Sequence, residues 1–318
     1  MIEFARKEFQ GVERVDFMQI DIGVDVEKPI NVYCKKCAEM APHEYDTESY
    51  VKTIDFRSGY VREFFSRYGD KLKWRGNENV LDIGCGPGDV TRHVFFPVLP
   101  RNFKSLSCAD LSTKMLNVAR KEFHGMEHVH FMQMDIGKDI CSSLNRSFDK
   151  IFSSFCFMYI TDQRKAFQNV FNLLAQDGEC FIMLVSKAAL YETIFQLAET
   201  PKWAERLKHH REVFAFPYRE DVDPEKTIRE LLESIGFSDV FVKKDEYPCL
   251  YPTKAALKGG LLCLPDFPNT MTDAEKYELM EDQLKLGISI NTVEEFYDAK
   301  NVIKEVPFNN LTIYAKKP

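Results

Sequence analysis

Asp82, Gly84, Gly86, Gly88 and Asp110 are the residues whose types and spacing point most directly to chemistry. Val80, Leu81 and Ile83 form a short apolar run that reads as a buried strand, and Val90 to Phe95 reads as helical. A strand that breaks into glycines and enters a helix brings backbone N–H groups close to a ligand, with no Cβ in the way. Asp110 closes the next apolar run, Leu106 to Ala109. An acidic residue about twenty positions after the glycines, at the tip of a second strand, is placed to accept hydrogen bonds from ribose hydroxyls. The chemistry implied is the binding of a nucleoside cofactor.

Two cofactors compete for this arrangement. A dinucleotide site carries G-x-G-x-x-G, and here the third position is Asp89. An acidic residue two places before G-x-G-x-G instead resembles the first motif of class I S-adenosylmethionine methyltransferases. That resemblance makes S-adenosylmethionine the expected cofactor and leaves a nicotinamide oxidoreductase as the outside reading.

Composition agrees. At 318 residues the chain suits one large domain or one with a small addition. An apolar content of 45% is ample for a core, and 26 Phe hint at an apolar pocket as well as core filling. A formal charge of −7 argues against a nucleic-acid partner, which requires a basic face. No apolar run approaches the ~18–20 residues of a membrane span. The charges in MIEFARKEFQ are unlike a secretory signal, and nine cysteines at irregular spacing suggest reduced thiols in the cytosol. Cys34-Lys35-Lys36-Cys37 has no second pair to complete a zinc site, so no metal is expected.

Residues 1–23 repeat residues 115–137 at a constant offset of 114, with fifteen of the 23 positions identical. The upstream copy lacks the glycine motif and any counterpart of Asp110, so alone it makes no cofactor site. Two copies are too few for a solenoid. Residues 1–39 therefore read as a duplicated fragment or arm, either a partial tandem duplication or a product of joining neighbouring exons. Residues 40–318 read as the catalytic domain, with Met40 as a natural start. The alternative is an appended dimerisation or regulatory arm.

Those residues must be held by a sheet. A helix is expected from Tyr50 to Tyr68, with strands at Asn79–Ile83, Lys104–Ala109, Val129–Met134, Lys150–Phe155, Glu179–Val185, Val240–Tyr247 and Asn310–Ala315. Ser112 reads as the N-cap of a helix Thr113–Phe123, Gln163–Leu174 reads as another, and Pro224–Ile235 as a third closed by Gly236. Alternating strands and helices of this length imply a parallel, doubly wound, seven-stranded α/β sheet. Two insertions, at about 188–223 and 253–306, are expected to form a helical lid over the crevice at the strands' carboxyl ends. Thr272-Asp273-Ala274-Glu275 reads as a capping box inside the second.

Several segments point to one group: VLDIGCGPGDVT, CADLSTKMLNVA, FDKIFSSFCFMYITDQRKAFQNVFNLLAQDGEC, TPKW and DPEKTIRELLESIGF. Together they resemble the juvenile hormone acid methyltransferases of arthropods over roughly residues 45–318. These enzymes methylate the carboxylate of farnesoic acid or juvenile hormone acid. The resemblance implies that Asp82, Gly84 and Gly86 surround the methionine moiety and that Asp110 takes the ribose hydroxyls. Leu111 then lies against adenine, Asp135 and Ile136 frame its amino group, and Ser153 and Ser154 face the methionine end. The implied partner is a small apolar acid.

Two positions depart from the family. Arg57 stands where the family has a glutamine that holds the substrate carboxylate. Met158-Tyr159-Ile160 replaces a His-Trp-Ile sequence whose indole meets the same group. Arg57 and Tyr159 are thus the expected acid-orienting residues. The exchange lowers turnover, suits a different acid or marks a silent, cofactor-binding paralogue. Arg57 facing solvent or the methionine carboxylate is the alternative.

Overall fold

A computed structural model describes residues 54–208, 215–251, 271–289, 293–295 and 303–318. The duplicated arm and Cys34–Cys37 lie outside the described residues. Among the described residues, eight strands form one sheet: β1 (Asn79–Ile83), β2 (Ser105–Asp110), β3 (Val129–Gln133), β4 (Phe148–Ser154), β5 (Leu174–Lys187), β6 (Ser238–Tyr251), β7 (Val293–Glu295) and β8 (Ile303–Lys316). Their order is β3-β2-β1-β4-β5-β8-β6, with β7 paired to β8. All seven expected strands are present, and β7 is an addition within the second insertion.

The chain moves outward from β1 in one direction to β2 and β3, and from β4 in the other to β5. Right-handed crossovers then place their connecting segments on opposite faces, and the order reverses beside β1. A ligand crevice belongs at that reversal, beyond the carboxyl ends of β1 and β4. The buried runs of β1, β2, β4 and β5 are nearly continuous, as strands covered on both faces require.

Helix α1 (Ile54–Tyr68) covers one face: Phe65 sits edge-on to Phe95, Phe152 and Phe181, and Tyr60 to Tyr247 and Phe308. Helix α2 (Thr113–Glu122) precedes β3 and α3 (Gln163–Leu173) precedes β5. Helix α4 (Ala189–Leu197) opens the first insertion, α5 (Pro224–Ile235) precedes β6, and α6 (Asp273–Ser289) lies in the second insertion. Ser112 caps α2 through the Met115 N–H, and Gly236 ends α5 at φ +116°. The capping box closes in both directions: Thr272 N–H donates to Glu275, and Glu275 N–H donates to the Thr272 hydroxyl.

The structure differs from the sequence reading in the direction and the length of its strands. β8 runs antiparallel to both β5 and β6, so the sheet is mixed. β5, β6 and β8 are 14 residues each and longer than expected, because antiparallel neighbours satisfy one another's backbone groups as they extend. The second insertion consequently ends earlier than expected, at the start of β8. The TPKW tetrapeptide joins the two insertions. Trp203 is buried and its indole N–H donates to Asp282 at 2.9 Å, Lys202 pairs with Asp282 and Glu278, and Arg206 with Glu275.

Candidate active site

The site begins where β1 ends. Gly84 and Cys85 both donate their N–H to the Ala109 carbonyl, at 2.8 and 3.0 Å, which ties the glycine turn to the tip of β2. Gly84 has φ +73°, and a Cβ there would lie 2.4 Å from Cys156 Cβ and 2.6 Å from its Sγ. The glycine is therefore required by the loop after β4. A larger side chain at this position would meet Cys156. Gly88 lies against α2, where a Cβ would be 3.0 Å from Ala119 Cβ.

Asp110 braces this turn from β2. Its Oδ2 accepts from Gly86 N–H and its Oδ1 from Ser112 N–H, each at 2.8 Å. Each carboxylate oxygen retains a further lone pair, so the group can still accept from a diol. Burial raises its pKa, opposed by the two backbone N–H groups. Leu111 follows with 40% of its surface exposed, unusual for a leucine beside a sheet, and Gln133 on β3 donates to its carbonyl.

Asp82 is buried at the carboxyl end of β1. Thr91 donates its hydroxyl to Oδ2, whereas Oδ1 has no partner among the described residues. Burial raises the Asp82 pKa to about 7, with Asp110 and Asp89 adding to the rise and Thr91 opposing it. An unpartnered, buried carboxylate oxygen is costly unless a donor or a cation meets it.

Asp135 accepts from Gly137 N–H, and Asn169 on α3 donates to both the Ile136 and Lys138 carbonyls at 2.7 Å. The Ile136 side chain packs in the core. The Ser153 hydroxyl is fully buried and donates to the Ile83 carbonyl at 2.7 Å, latching β4 to β1. Ser154, one residue on and on the alternate face, is partly exposed at the strand end.

Beyond β4 the chain turns sharply. Phe155 adopts φ +54°, and Phe157–Tyr159 forms a single 3-10 turn. Gln163 holds this turn by donating to the Phe157 and Ile160 carbonyls, and Tyr218 of the first insertion donates to Gln163. Phe216 N–H donates to the Met158 carbonyl, and the Phe216 ring lies edge-on to Tyr159 at 6.4 Å and tilted against Tyr191 at 4.6 Å. Tyr159 is thus partly buried between the strand end and the first insertion. Arg57 falls in the first turn of α1, and its side chain lies outside the described residues.

The sequence reading missed Thr91, Gln133, Cys156 and Asn169. Cys156 is the largest omission: burial pushes its thiol well above the ordinary range, and the Asp110, Asp82 and Asp135 carboxylates push it further. Nothing in FCFMYI marks this cysteine. Thr91 closes the glycine motif and had a signal in its position, nine residues after Asp82. Among the described residues, no group of three or more His, Cys, Asp or Glu is arranged to hold a metal. No described helix is long and apolar enough to cross a membrane.

Comparison with known proteins agrees with this geometry. A methyltransferase domain family matches residues 80–178, the segment that carries the glycine turn, Asp110, Asp135 and the loop after β4. Juvenile hormone acid O-methyltransferase of Bombyx mori is 28% identical over 275 residues, covering 86% of this chain and 97% of the silkworm protein. The Drosophila melanogaster enzyme of the same name is 24% identical over 255 residues, covering 79% and 84%. The fold matches phosphoethanolamine N-methyltransferase 2 of Haemonchus contortus at a TM-score of 0.52 and 19% identity, over 86% of this chain and 58% of that one.

With this sheet order and glycine turn, the chain is a class I S-adenosylmethionine-dependent methyltransferase that resembles the juvenile hormone acid enzymes. The residues present fit that cofactor. Asp82 Oδ1 offers a bare anionic acceptor for an ammonium, Asp110 offers spare lone pairs for a ribose, and Leu111 offers an exposed apolar surface for a base.

Proposed function

We propose that this methyltransferase acts on the carboxylate of a small apolar acid of the sesquiterpenoid or fatty class, with Arg57 and Tyr159 orienting the acid. The observation that carries the reading is the similarity to the silkworm juvenile hormone acid O-methyltransferase across 97% of its length. Partial support comes from the aromatic side chains of Phe157, Tyr159, Tyr191 and Phe216 around the loop after β4.

When bound, S-adenosylmethionine supplies a methyl group made electrophilic by its sulfonium. A carboxylic acid is already ionised at pH 7, so this acceptor needs no general base. The protein's contribution is to place one carboxylate oxygen and to keep water out, and placement alone is worth up to about 7–11 kcal/mol. Tyr159 has a phenolic O–H that can donate to one oxygen. Arg57 would hold the acid bidentately and more tightly than the family's glutamine, at some cost in the electron density of the attacking oxygen. The raised pKa keeps Cys156 a neutral thiol, a poor competitor for the methyl group. The first insertion, tied to the loop after β4 and to the second insertion, serves as the lid. We place the enzyme in the cytosol, in keeping with the free thiols of Cys85, Cys108, Cys141, Cys156 and Cys180.

Incubation with methyl-labelled S-adenosylmethionine and a panel of farnesoic, fatty and aromatic acids tests this. Label recovered in a base-labile ester of a terpenoid or fatty acid supports it. Transfer only to a non-acid acceptor refutes it. Binding without transfer to any acceptor identifies a silent paralogue, the reading favoured by the replacement of both family donors.

A further inference from the structure

We propose that Asn310 and Ser58 are specificity-determining residues for the acceptor: they form a polar notch that takes a hydroxyl group carried on the apolar body of the acid, well away from its carboxylate. The acceptor is then a hydroxylated apolar acid. The proposal rests on the carboxylate reading above and narrows the substrate class within it.

The place of Asn310 follows from the register of the sheet. Ser154 at the end of β4 pairs with Met183, Met183 with Thr312, and Val185 with Asn310 two residues further on. Side chains alternate between faces along a strand, so these five residues share one face with Phe181. Phe181 lies against Phe65, which makes this the face that α1 covers. Asn310 thus lies beyond the level at which β4 stops, on the crevice side, and two strand spacings from β4, about 10 Å. Helix α1 descends from that level: Tyr60 rests on Tyr247 and Phe308, whereas Tyr68 reaches Phe241 and Asp245. Phe65, seven residues after Ser58 and on the same side of the helix, packs on Phe152 and Phe181. Seven helical residues rise about 10 Å, the length of about three strand residues, which brings Ser58 close to the level of Val185 and Asn310.

Both side chains are buried, yet neither Ser58 Oγ nor Asn310 Oδ1 has a hydrogen-bond partner among the described residues. Asn310 uses an amide N–H on the Thr312 hydroxyl at 3.1 Å, which leaves its carbonyl oxygen open. The surroundings are mostly apolar: Val185 across the strand, Phe308 two residues back, and Tyr60 on Phe308. Asp245, the neighbour on β6, is engaged by the Tyr68 hydroxyl. Buried polar atoms without partners are rare and costly. An apolar wall that carries a few placed polar groups is the usual character of a small-molecule site.

The chemistry of the two groups selects the ligand. An amide oxygen can only accept, so the ligand group must donate, while a serine hydroxyl can donate in return. An alcohol does both: its O–H donates to Asn310 Oδ1 and its oxygen accepts from Ser58. An ether has no proton for the amide, and a second carboxylate would set its charge against the amide oxygen and Asp245.

The test compares decanoic, ω-hydroxydecanoic and ω-methoxydecanoic acids as acceptors of labelled methyl from S-adenosylmethionine, using the full chain. In kcat/KM the ω-hydroxy acid should exceed the ω-methoxy acid by about tenfold or more, because the ether leaves the amide oxygen unpaired. Asn310→Leu, of similar size, should bring that ratio to one or below, and Ser58→Ala should lower it about threefold. A merely structural residue would not move the ratio, since lost packing lowers all three acids alike. Equal use of the hydroxy and methoxy acids by the unaltered chain overturns the proposal and leaves the carboxylate reading standing; a buried water then satisfies the two groups. A preference that survives both substitutions also overturns it, because the hydroxyl is then recognised elsewhere. If Asn310→Leu fails to fold, the unaltered chain and Ser58→Ala decide. Failure of every acid to accept the methyl group overturns the carboxylate reading and this proposal with it.

Discussion

Replacing Asp110 by alanine tests the central feature of the site, and the structure separates its two consequences. The carboxylate accepts from Gly86 N–H and Ser112 N–H, so removal leaves two backbone donors without their partner. Hydrogen bonds to a charged group contribute about 1.5–3 kcal/mol each, which sets an upper range of about 3–6 kcal/mol for the pair. The net loss should be smaller, about 1–3 kcal/mol, because the raised pKa shows that burial already penalises the charge and water can reach this partly exposed position. For a chain of this size that is a fall in Tm of several degrees. The second consequence concerns the cofactor: loss of charged acceptors for the two ribose hydroxyls should weaken S-adenosylhomocysteine at least a hundredfold. Asp110→Asn offers a discriminating intermediate. Its carbonyl oxygen can keep one backbone donor, while its amide NH2 opposes the other, so stability should recover more than affinity. Scanning calorimetry and isothermal titration on both variants measure the two effects. An Asp110→Ala protein that melts lower yet binds the cofactor with unchanged affinity would show Asp110 to be only a brace for the glycine turn.

Three further perturbations follow from the packing. Gly84→Ala should destabilise through a Cβ at 2.4 Å from Cys156 Cβ and a left-handed backbone, the latter alone costing about 1–2 kcal/mol. Cys156→Gly should relieve part of that loss, and denaturant melts of the double-mutant cycle would show additivity if the contact is unimportant. Asp282→Ala removes the acceptor of the buried Trp203 indole, and should loosen the two insertions and speed limited proteolysis within residues 200–289; an unchanged cleavage rate would deny that contact a role in holding them together. Deletion of residues 1–39 should leave Tm within about 2 °C and cofactor affinity unchanged, because residues 115–137 already occupy the corresponding place as α2 and β3. A larger fall, read by scanning calorimetry, would show the arm integrated into the fold.

What the sequence determined by itself was local. Strand β1 runs Asn79–Ile83 as its apolar run implies, because a short buried run ending in glycines has few alternatives. Helix α5 runs Pro224–Ile235 between a proline start and a glycine stop, and α6 opens on its capping box, since caps are written in neighbouring residues. The glycine turn and its place beside Asp110 were legible for the same reason: type and spacing alone bring a strand tip and backbone N–H groups together. Tertiary structure decided whatever depends on register and on distant neighbours. Ser153 and Ser154 are indistinguishable in sequence, yet pairing of Ile83 with Ser153 turns one hydroxyl into the sheet and leaves the other at the strand end. Gly84 is fixed by Cys156, 72 positions away. The lengths of β6 and β8 are set by each other, and the TPKW motif acquires its meaning from Asp282 on another insertion. Asp82 could be recognised as acidic from its letter alone. That one of its oxygens is clamped and the other bare is a property of burial and direction, which only the packed chain defines.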